Sequence, residues 1–214
     1  MTTTRRTTPP TILSHLGDAA NLLTLAGLAC SVAAITLAVR GEYPGAAITL
    51  VGAFLFDLVD GPVAKRTAGR TPDQGAFGAN LDSLADMVAA GVAMGVLICA
   101  YGHFEVAPVA VAVLLAAATA MRLSYFNVHG IASDAGSYTG LPTDLAVMGF
   151  VTVLLLDVPM DAAAFRVTIC VAGVVLAGLM VSPVRIPKQT GAWFVANVVA
   201  AFVLAGLHAL RLFG

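Results

Sequence analysis

The sequence predicts an all-α, polytopic transmembrane helix bundle, and three observations support this prediction. Of the 214 residues, 59% are hydrophobic and only 11% are charged, which is under half of the charged fraction typical of soluble domains. The mean hydropathy is +0.92. The apolar residues fall in long runs, whereas a membrane β-barrel shows short alternating segments. The formal net charge of −1 gives no long-range attraction to polyanions, which excludes a nucleic-acid-binding module.

Seven apolar segments make up most of the chain, and most have about the 20 residues that a helix needs to cross a bilayer. They lie near Asn21–Val39, Pro44–Val63, Asn80–Tyr101, Val106–Phe126, Leu141–Val158, Ala163–Val181 and Gly191–Leu212. The fifth segment is short, and we expect it to be tilted or not to span fully. We expect residues 1–20 to form a cytoplasmic segment with a short amphipathic helix at the interface. Residues 21–214 are predicted to form a single transmembrane domain.

The distribution of Lys and Arg predicts the orientation in the membrane, because cytoplasmic loops carry an excess of these residues. With the N-terminus inside, eight of them fall on the cytoplasmic side and three fall outside. The eight are Arg5, Arg6, Lys65, Arg66, Arg70, Arg122, Arg185 and Lys188, and the three are Arg40, Arg166 and Arg211. We therefore expect an N-terminus inside, in the cytoplasmic membrane, with the chemistry on the cytoplasmic face.

Four aspartates stand at the cytoplasmic edge of the predicted bundle. Asp57 and Asp60 close the second apolar segment, and Asp82 and Asp86 open the third. Positions i and i+3 or i+4 share one face of a helix, so each pair points in one direction. Because a cytoplasmic loop joins the two segments, all four carboxylates are predicted to meet at one depth.

A divalent cation would resolve the repulsion within such a cluster. Ionised aspartates at bilayer depth cost a few kcal/mol each, and neighbouring carboxylates add to that cost. Oxygen ligands without Cys or His favour Mg²⁺, Mn²⁺ or Ca²⁺ over Zn²⁺. Mg²⁺ commonly completes its shell with phosphate oxygens. With Lys65, Arg66 and Arg70 nearby, the cluster therefore indicates a diphosphate substrate.

A divalent-cation transporter that uses the four aspartates as its ion site is an alternative from a different class. Transporters commonly place such sites near the bilayer midplane, on broken helices within repeated halves. Here the acids stand at the membrane edge, and the sequence shows no internal repeat. These observations favour an enzyme.

The residues around the four aspartates resemble the signature of the CDP-alcohol phosphotransferases, DxxDGxxAR followed by GxxxDxxxD. The matching runs are Asp57-Leu-Val-Asp60-Gly61-Pro-Val-Ala64-Lys65 and Gly78-Ala-Asn-Leu-Asp82-Ser-Leu-Ala-Asp86. Lys65 stands where the signature has Arg. The spacer from Lys65 to Gly78 holds twelve residues, more than is usual, and we expect it to place its cations differently.

Further segments resemble the serine branch of this family, the phosphatidylserine synthases. They are Leu81–Asp86 (LDSLAD), Arg122–Asn127 (RLSYFN), Gly140–Pro142 (GLP) and Leu179–Arg185 (LMVSPVR). This resemblance implies transfer of a phosphatidyl group from CDP-diacylglycerol to L-serine, with release of CMP. Thr143 and Asp144 follow the GLP segment, where the family usually has Ser or Ile and then Pro. Inositol phosphate, glycerol phosphate or another amino alcohol therefore remains an alternative acceptor.

The family resemblance also implies an architecture and a set of site residues. It implies six core helices, here with a seventh C-terminal span, and a homodimer among membrane lipids. Two divalent ions, Mg²⁺ or Mn²⁺, would be held by Asp57, Asp60, Asp82 and Asp86, the last of which would also be the catalytic base. The CDP-binding positions would be Asn21, Thr24, Gly61, Ala64, Lys65 and Gly78. For the acceptor, we expect Arg122, Arg185 and Lys188 to bind a carboxylate or phosphate, and Asp144 to bind an ammonium group.

Overall fold

The computed structural model describes residues 11–130, 137–187 and 190–213. The helices are α1 (Ala19–Val39), α2 (Tyr43–Arg66), α3 (Pro72–Asp86), α4 (Met94–Tyr101), α5 (Val106–His129), α6 (Thr143–Val153), α7 (Ala162–Met180) and α8 (Ala192–Phe213). Two short strands, β1 (Ser137–Thr139) and β2 (Arg185–Pro187), pair antiparallel. The prediction of a polytopic helix bundle is confirmed.

Six helices of the described chain are long and apolar enough to cross a membrane. They are α1, α2, the continuous helix Pro72–Tyr101, α5, α7 and α8, and they make this an integral membrane protein. The fifth predicted segment is shorter: α6 has 11 residues and continues into a 4-residue 3-10 helix, Leu154–Asp157. Its roughly 25 Å of helical rise falls short of the hydrocarbon core of about 30 Å.

The N-terminal part of the described chain is a 3-10 helix, Ile12–Gly17, where the sequence predicted a short amphipathic helix. Ile12 and Leu13 are exposed, whereas His15 is buried and stacks on Phe77 of α3 at 4.0 Å between ring centroids. Asp18 then caps α1 by accepting a hydrogen bond from the backbone of Ala20, which satisfies a free N–H group of the first turn. The 3-10 helix is thus tied to the start of α1 and to α3.

Helices α1 and α2 pack closely against each other, and α2 carries two of the four aspartates. A Cβ atom on Gly27 of α1 would lie 3.3 Å from Cβ of Phe56 on α2. Small residues of this kind let membrane helices approach closely. The interior of the bundle is apolar, and Leu50, Met94 and Phe150 are fully buried there. The interior also holds buried hydroxyls, such as those of Ser31 and Thr119, which bond to carbonyls of their own helices.

A π-helical segment, Met87–Ala93, interrupts the third long helix directly after Asp86. Gly91 makes room for the neighbouring turn, since a Cβ atom there would lie 2.7 Å from Cε of Met87. π segments inside α-helices are rare and occur frequently at functional positions. This segment joins the acid-bearing turns of α3 to the buried helix α4, and hydrophobic periodicity does not predict it.

The C-terminal helix α8 packs on α2 and α6 and is held at the end of the bundle opposite the aspartates. Arg211 forms an ion pair with Asp157 and donates a hydrogen bond to the carbonyl of Leu154 (3.1 Å). Tyr101 donates to the same Asp157 carboxylate at 2.6 Å. Tyr43, at the start of α2, stacks on Tyr101, which places this polar cluster far from the C-terminal turns of α2.

The strands β1 and β2 join the α5–α6 and α7–α8 connections at the end of the bundle that carries the aspartates. Gly140 has φ +76°, and a Cβ atom there would collide with the carbonyl of Met180. The N–H of Gly140 donates to Val184 (2.8 Å), and that of Leu141 donates to Leu179 (2.9 Å). The segment before α6 is thereby fastened to the end of α7, which fixes where α6 begins.

Candidate active site

Three of the four predicted acids converge between α2 and α3. One carboxylate oxygen from each of Asp57, Asp60 and Asp82 lies within 4.8 Å of the others. Asp60 is buried, and the other two are half-buried. The loop between α2 and α3 therefore brings together acids from two helices, as the sequence predicted for them.

This donor set fits a hard divalent ion. All three side chains offer carboxylate oxygens, and ions of this class bind oxygen at about 2.0–2.6 Å. Oxygens within 4.8 Å of one another can therefore all reach one such ion. Members of the family that the sequence resembles use divalent metal ions, and the cluster supplies suitable ligands for one.

The orientation of Asp60 is set by α1. The Thr24 hydroxyl donates a hydrogen bond to Oδ2 of Asp60 at 2.6 Å, and both residues are buried. Hydrogen bonds to ionised groups are among the stronger ones in proteins. Thr24 was predicted to lie near the nucleotide, and it does lie at the site, where its hydroxyl holds one of the clustered acids.

A cavity of about 160 Å³ lies beside the acid cluster, between α1, α2 and α3. Five of the six predicted CDP-binding residues line it, namely Asn21, Thr24, Gly61, Ala64 and Gly78. Asp60 and Asp82 form part of the same wall. A ligand in this cavity would therefore contact small residues on one side and the acid cluster on the other.

Two polar side chains give the cavity its specific features. Asn21 donates to the carbonyl of His15 (3.0 Å), while its Oδ1 is buried with no hydrogen-bond partner among the described residues. A Cβ atom on Gly78 would lie 2.8 Å from that oxygen. Arg70 is held beside the cavity by Asp18, whose Oδ2 accepts from Nε of Arg70 at 2.6 Å. The cavity thus offers an unused acceptor and a fixed cation.

The remaining predicted CDP-binding residue, Lys65, is exposed and does not line this cavity. Gly61 and Ala64 are three residues apart and share the face of α2 that lines the cavity, whereas the next residue is turned by about 100°. Arg70 takes the place beside the cavity, from within the long spacer. The spacer was predicted to place its cations differently, and the position of Arg70 agrees with that.

Asp86 is not one of the three clustered acids and has a different partner. Its Oδ2 accepts a hydrogen bond from the Thr143 hydroxyl at 2.6 Å. The same hydroxyl accepts a bond from Nη1 of Arg122 at 3.3 Å. Thr143 and Arg122 are both buried. The fourth predicted acid therefore faces the start of α6 and the end of α5.

Of the four predicted acceptor residues, two lie near the acids, one is exposed elsewhere, and one is outside the described residues. Arg122 acts electrostatically on Asp82 and Asp86. Asp144 acts on these carboxylates as well, and its Oδ1 accepts from the N–H of Leu145. Arg185 is an exposed strand residue that makes no hydrogen bond or ion pair through its side chain within the described part of the chain. Lys188 lies outside the described residues.

Tyr138 on β1 lies close enough to Arg122 and Asp144 to interact with their charges. Its side chain is half-buried, and its ring lies 6.1 Å from that of Phe126. Burial raises the pKa of Tyr138, and the charge of Asp144 raises it further. The phenol is therefore protonated at neutral pH and can donate a hydrogen bond.

Sequence reasoning missed two contacts that organise this site. The hydroxyl of Thr143 meets Asp86 across 57 positions of the sequence, and Arg70 meets Asp18 across 52. Helical spacing relates only residues three or four positions apart, so it cannot predict such pairs. For Thr143 a weak signal existed, because it keeps a hydroxyl where the family often has Ser.

The chain is similar in sequence to proteins of one known family. The family model for CDP-alcohol phosphatidyltransferase matches residues 18–182, which include α1 to α7 and end before α8. Archaetidylserine synthase of Methanothermobacter thermautotrophicus is 32% identical over 172 residues, which cover 80% of this chain and 70% of that protein.

Two further relatives carry different acceptor names. CDP-diacylglycerol–serine O-phosphatidyltransferase of Helicobacter pylori is 31% identical over 172 residues, 78% of this chain and 71% of that protein. Phosphatidylinositol phosphate synthase of Mycobacterium tuberculosis is 33% identical over 123 residues, 56% of this chain and 55% of that protein. The names of the archaeal and Helicobacter relatives contain serine, whereas the mycobacterial name contains inositol phosphate.

Proposed function

Because the chain belongs to the CDP-alcohol phosphatidyltransferase family, we propose that it transfers a phosphatidyl group from CDP-diacylglycerol to L-serine and releases CMP. The family and the enzyme class predicted from the signature are confirmed. The observation that carries the proposal is the cluster of Asp57, Asp60 and Asp82, which adjoins a cavity lined by the nucleotide positions of the signature.

The donor would lie with its acyl chains in the bilayer and its diphosphate at the acid cluster. Asp57, Asp60 and Asp82 would hold Mg²⁺ or Mn²⁺, and Asp86 would contribute to a second ion. When bound, such ions offset the charge of the diphosphate and stabilise charge that develops during displacement. Thr24 would keep the carboxylate of Asp60 turned toward the cluster.

The nucleotide would occupy the cavity between α1, α2 and α3. Its walls at Gly61, Ala64 and Gly78 leave room for a ligand to approach the backbone. Oδ1 of Asn21, which has no hydrogen-bond partner within the described chain, is an acceptor for a donor group of the ligand. Arg70 is held in place to donate to the phosphate of the leaving CMP. Lys65 would act from the exposed rim of the site.

The reaction is a displacement at phosphorus. Asp86 accepts the proton of the acceptor hydroxyl, and the hydroxyl oxygen attacks the phosphorus that bears diacylglycerol. The bond between that phosphorus and the CMP oxygen breaks, and CMP leaves with the bonding electrons. The products are a phosphodiester and CMP.

Two observations support serine as the acceptor. The relatives with serine-type names align over 64–80% of this chain, against 56% for the inositol phosphate type. Arg122 and Asp144, both close to Asp86, provide a cation for the carboxylate of serine and an anion for its ammonium group. An alcohol phosphate would be repelled by Asp144. Inositol phosphate remains the second candidate because of the mycobacterial relative.

The orientation and assembly of the protein are part of the proposal. We place the site on the cytoplasmic face of the cytoplasmic membrane with the N-terminus inside, residues 1–20 at the interface and residues 21–214 as one domain. The distribution of cations supports this, because more of them lie at the acid-bearing end. Those are Lys65, Arg66, Arg70, Arg122 and Arg185, against Arg40, Arg166 and Arg211 at the other end. A homodimer completes the proposal, on the strength of the family resemblance.

An acceptor panel tests the function. Purified protein in lipid nanodiscs receives CDP-diacylglycerol with Mn²⁺ or Mg²⁺, and CMP release is measured with serine, ethanolamine, glycerol phosphate and inositol phosphate. We expect release with serine. Release with inositol phosphate or glycerol phosphate, but not with serine, would contradict the acceptor assignment. Cation flux without CMP release would instead support the transporter alternative.

Replacing the clustered acids tests their role. Asp57→Ala or Asp82→Ala should abolish turnover and weaken Mn²⁺ binding. The matched control is Asp73→Ala, which removes an exposed carboxylate from the first turn of α3 and should leave both measurements unchanged. Full activity with a normal metal response in either cluster variant contradicts the proposed site.

Asp86 is tested separately, because its partner differs from those of the clustered acids. If it serves mainly as the base, Asp86→Asn should lower turnover by roughly 10²- to 10⁴-fold while CDP-lipid binding is retained. Equal losses of binding and turnover would assign Asp86 to metal coordination instead.

A further inference from the structure

The hydroxyl of Thr143 lies between the proposed base and the buried cation of the acceptor side. It is 2.6 Å from Oδ2 of Asp86 and 3.3 Å from Nη1 of Arg122. A guanidinium group only donates hydrogen bonds and an ionised carboxylate only accepts them. The directions of the two hydrogen bonds are therefore fixed: Arg122 donates to Thr143, and Thr143 donates to Asp86.

The position of this hydroxyl is set by elements other than the one that carries Asp86. Thr143 is the first residue of α6, and the segment before it is fastened to the end of α7 by the bond from Leu141 to Leu179. Thr143 is 3% exposed, and β-branched side chains have few rotamers. Asp86 stands on α3, immediately before the π-helical segment. The hydroxyl thus ties the carboxylate to a separately fixed part of the bundle.

Arg122 is buried, but one of its hydrogen-bond donors has no partner among the described residues. It is 8% exposed, and the donor in question is Nε. Buried donors of this kind are normally satisfied. The contact with Thr143 keeps one arm of the guanidinium on the hydroxyl, so that Arg122 does not pair directly with Asp86 through that arm.

We propose that Thr143 is a positioning residue for the transfer reaction, because its hydroxyl holds the Asp86 carboxylate toward the acceptor and keeps Arg122 apart from it. The inference rests on the proposed function, in which Asp86 takes the acceptor proton. With Oδ2 bonded to Thr143, Oδ1 is the oxygen that meets the acceptor hydroxyl. Without the hydroxyl, the carboxylate rotates and Arg122 can pair with it directly, which withdraws the base from the acceptor.

The test replaces the hydroxyl without changing the shape of the side chain. Thr143→Val replaces the hydroxyl with a methyl group, and Thr143→Ser keeps the hydroxyl. The matched control is Thr152→Val, on the same helix, where the hydroxyl bonds to the carbonyl of Met148 in its own helix. Steady-state CMP release, the KM for CDP-diacylglycerol and the affinity for Mn²⁺ are measured for all three variants.

We expect Thr143→Val to lower kcat by roughly 10- to 100-fold, as misplacement of a reacting group does. The KM for CDP-diacylglycerol and the affinity for the Mn²⁺ ion at the three-acid cluster should stay unchanged, because Thr143 lines neither the nucleotide cavity nor that cluster. Thr143→Ser should recover most of the rate, and Thr152→Val should match the wild type. A Val variant as fast as the wild type, or a Ser variant as slow as the Val variant, overturns the inference.

A second readout does not depend on turnover. In the metal-free protein, a double-mutant cycle of Thr143→Val and Asp86→Asn is followed by thermal unfolding, and the two shifts in Tm should be non-additive because the residues are in contact. Additive shifts overturn the contact. Failure of the proposed function is distinguished by the wild type and the Thr152→Val control: no CMP release from either contradicts the transfer reaction itself.

Discussion

Replacing Thr24 by Val isolates a single hydrogen bond at the acid cluster. The Thr24 hydroxyl donates to Oδ2 of Asp60 at 2.6 Å, and both side chains are buried. The hydroxyl also lies 3.1 Å from the carbonyl of Ala20 in its own helix, and that carbonyl retains its helical N–H partner in the variant. The substitution preserves the shape of the side chain, so the loss falls on Asp60.

The size of the effect follows from the nature of this bond. Hydrogen bonds to charged groups contribute about 1.5–3 kcal/mol, and about 1.4 kcal/mol corresponds to a tenfold change in an equilibrium constant. If the bond is needed to orient Asp60, the affinity for Mn²⁺ should fall by roughly 10- to 100-fold. The loss of a group that orients a metal ligand typically has an effect of about 10- to 100-fold, which agrees with this figure.

The assay is a Mn²⁺ titration followed by electron paramagnetic resonance, together with CMP release measured at increasing Mn²⁺. Thr24→Ser keeps the hydroxyl and should bind Mn²⁺ almost as the wild type does. Thr36→Val provides a control on the same helix, because the hydroxyl of Thr36 bonds to the carbonyl of Val32 in its own helix. Wild-type Mn²⁺ affinity in Thr24→Val would refute the reasoning.

Three further predictions follow from other parts of the structure. Gly78→Ala should raise the KM for CDP-diacylglycerol in CMP-release kinetics, because the added Cβ reaches to 2.8 Å from Oδ1 of Asn21; an unchanged KM would contradict the placement of the nucleotide. Arg211→Met should lower the free energy of unfolding by about 1–3 kcal/mol, because it leaves the half-buried Asp157 carboxylate without its ion partner. Thermal unfolding in detergent checks this, and the Arg211→Met/Asp157→Leu double variant should recover part of the loss. Tyr138→Phe removes a hydroxyl that is protonated at neutral pH, since burial raises its pKa; the KM for serine should rise while that for the CDP-lipid stays constant.

The bundle and the acid cluster could be predicted from the sequence because both follow local rules. Hydropathy over about 20 residues marks membrane helices. The spacing of Asp57 and Asp60 places them on one face of α2, and a connection of five residues then turns the chain into α3. The convergence of these acids with Asp82 required no knowledge of the rest of the bundle.

Contacts that depend on tertiary packing could not be predicted in this way. Thr143 meets Asp86 only because the segment before α6 is fastened to the end of α7. Arg70 is placed at the cavity by Asp18, at the junction of the 3-10 helix and α1. The motif pointed to Lys65 instead, which is exposed. In each case a residue distant in sequence determines where the side chain lies.

The measurement that tests the central claim most directly is reversal of the proposed reaction. Vesicles that contain phosphatidylserine and the reconstituted protein are incubated with Mn²⁺, with and without CMP, and free serine and CDP-diacylglycerol are quantified. We expect serine and CDP-diacylglycerol to appear in equal amounts, only when CMP is present, and not with Asp82→Ala. Serine release that does not depend on CMP, or equal release by the Asp82→Ala variant, would contradict it.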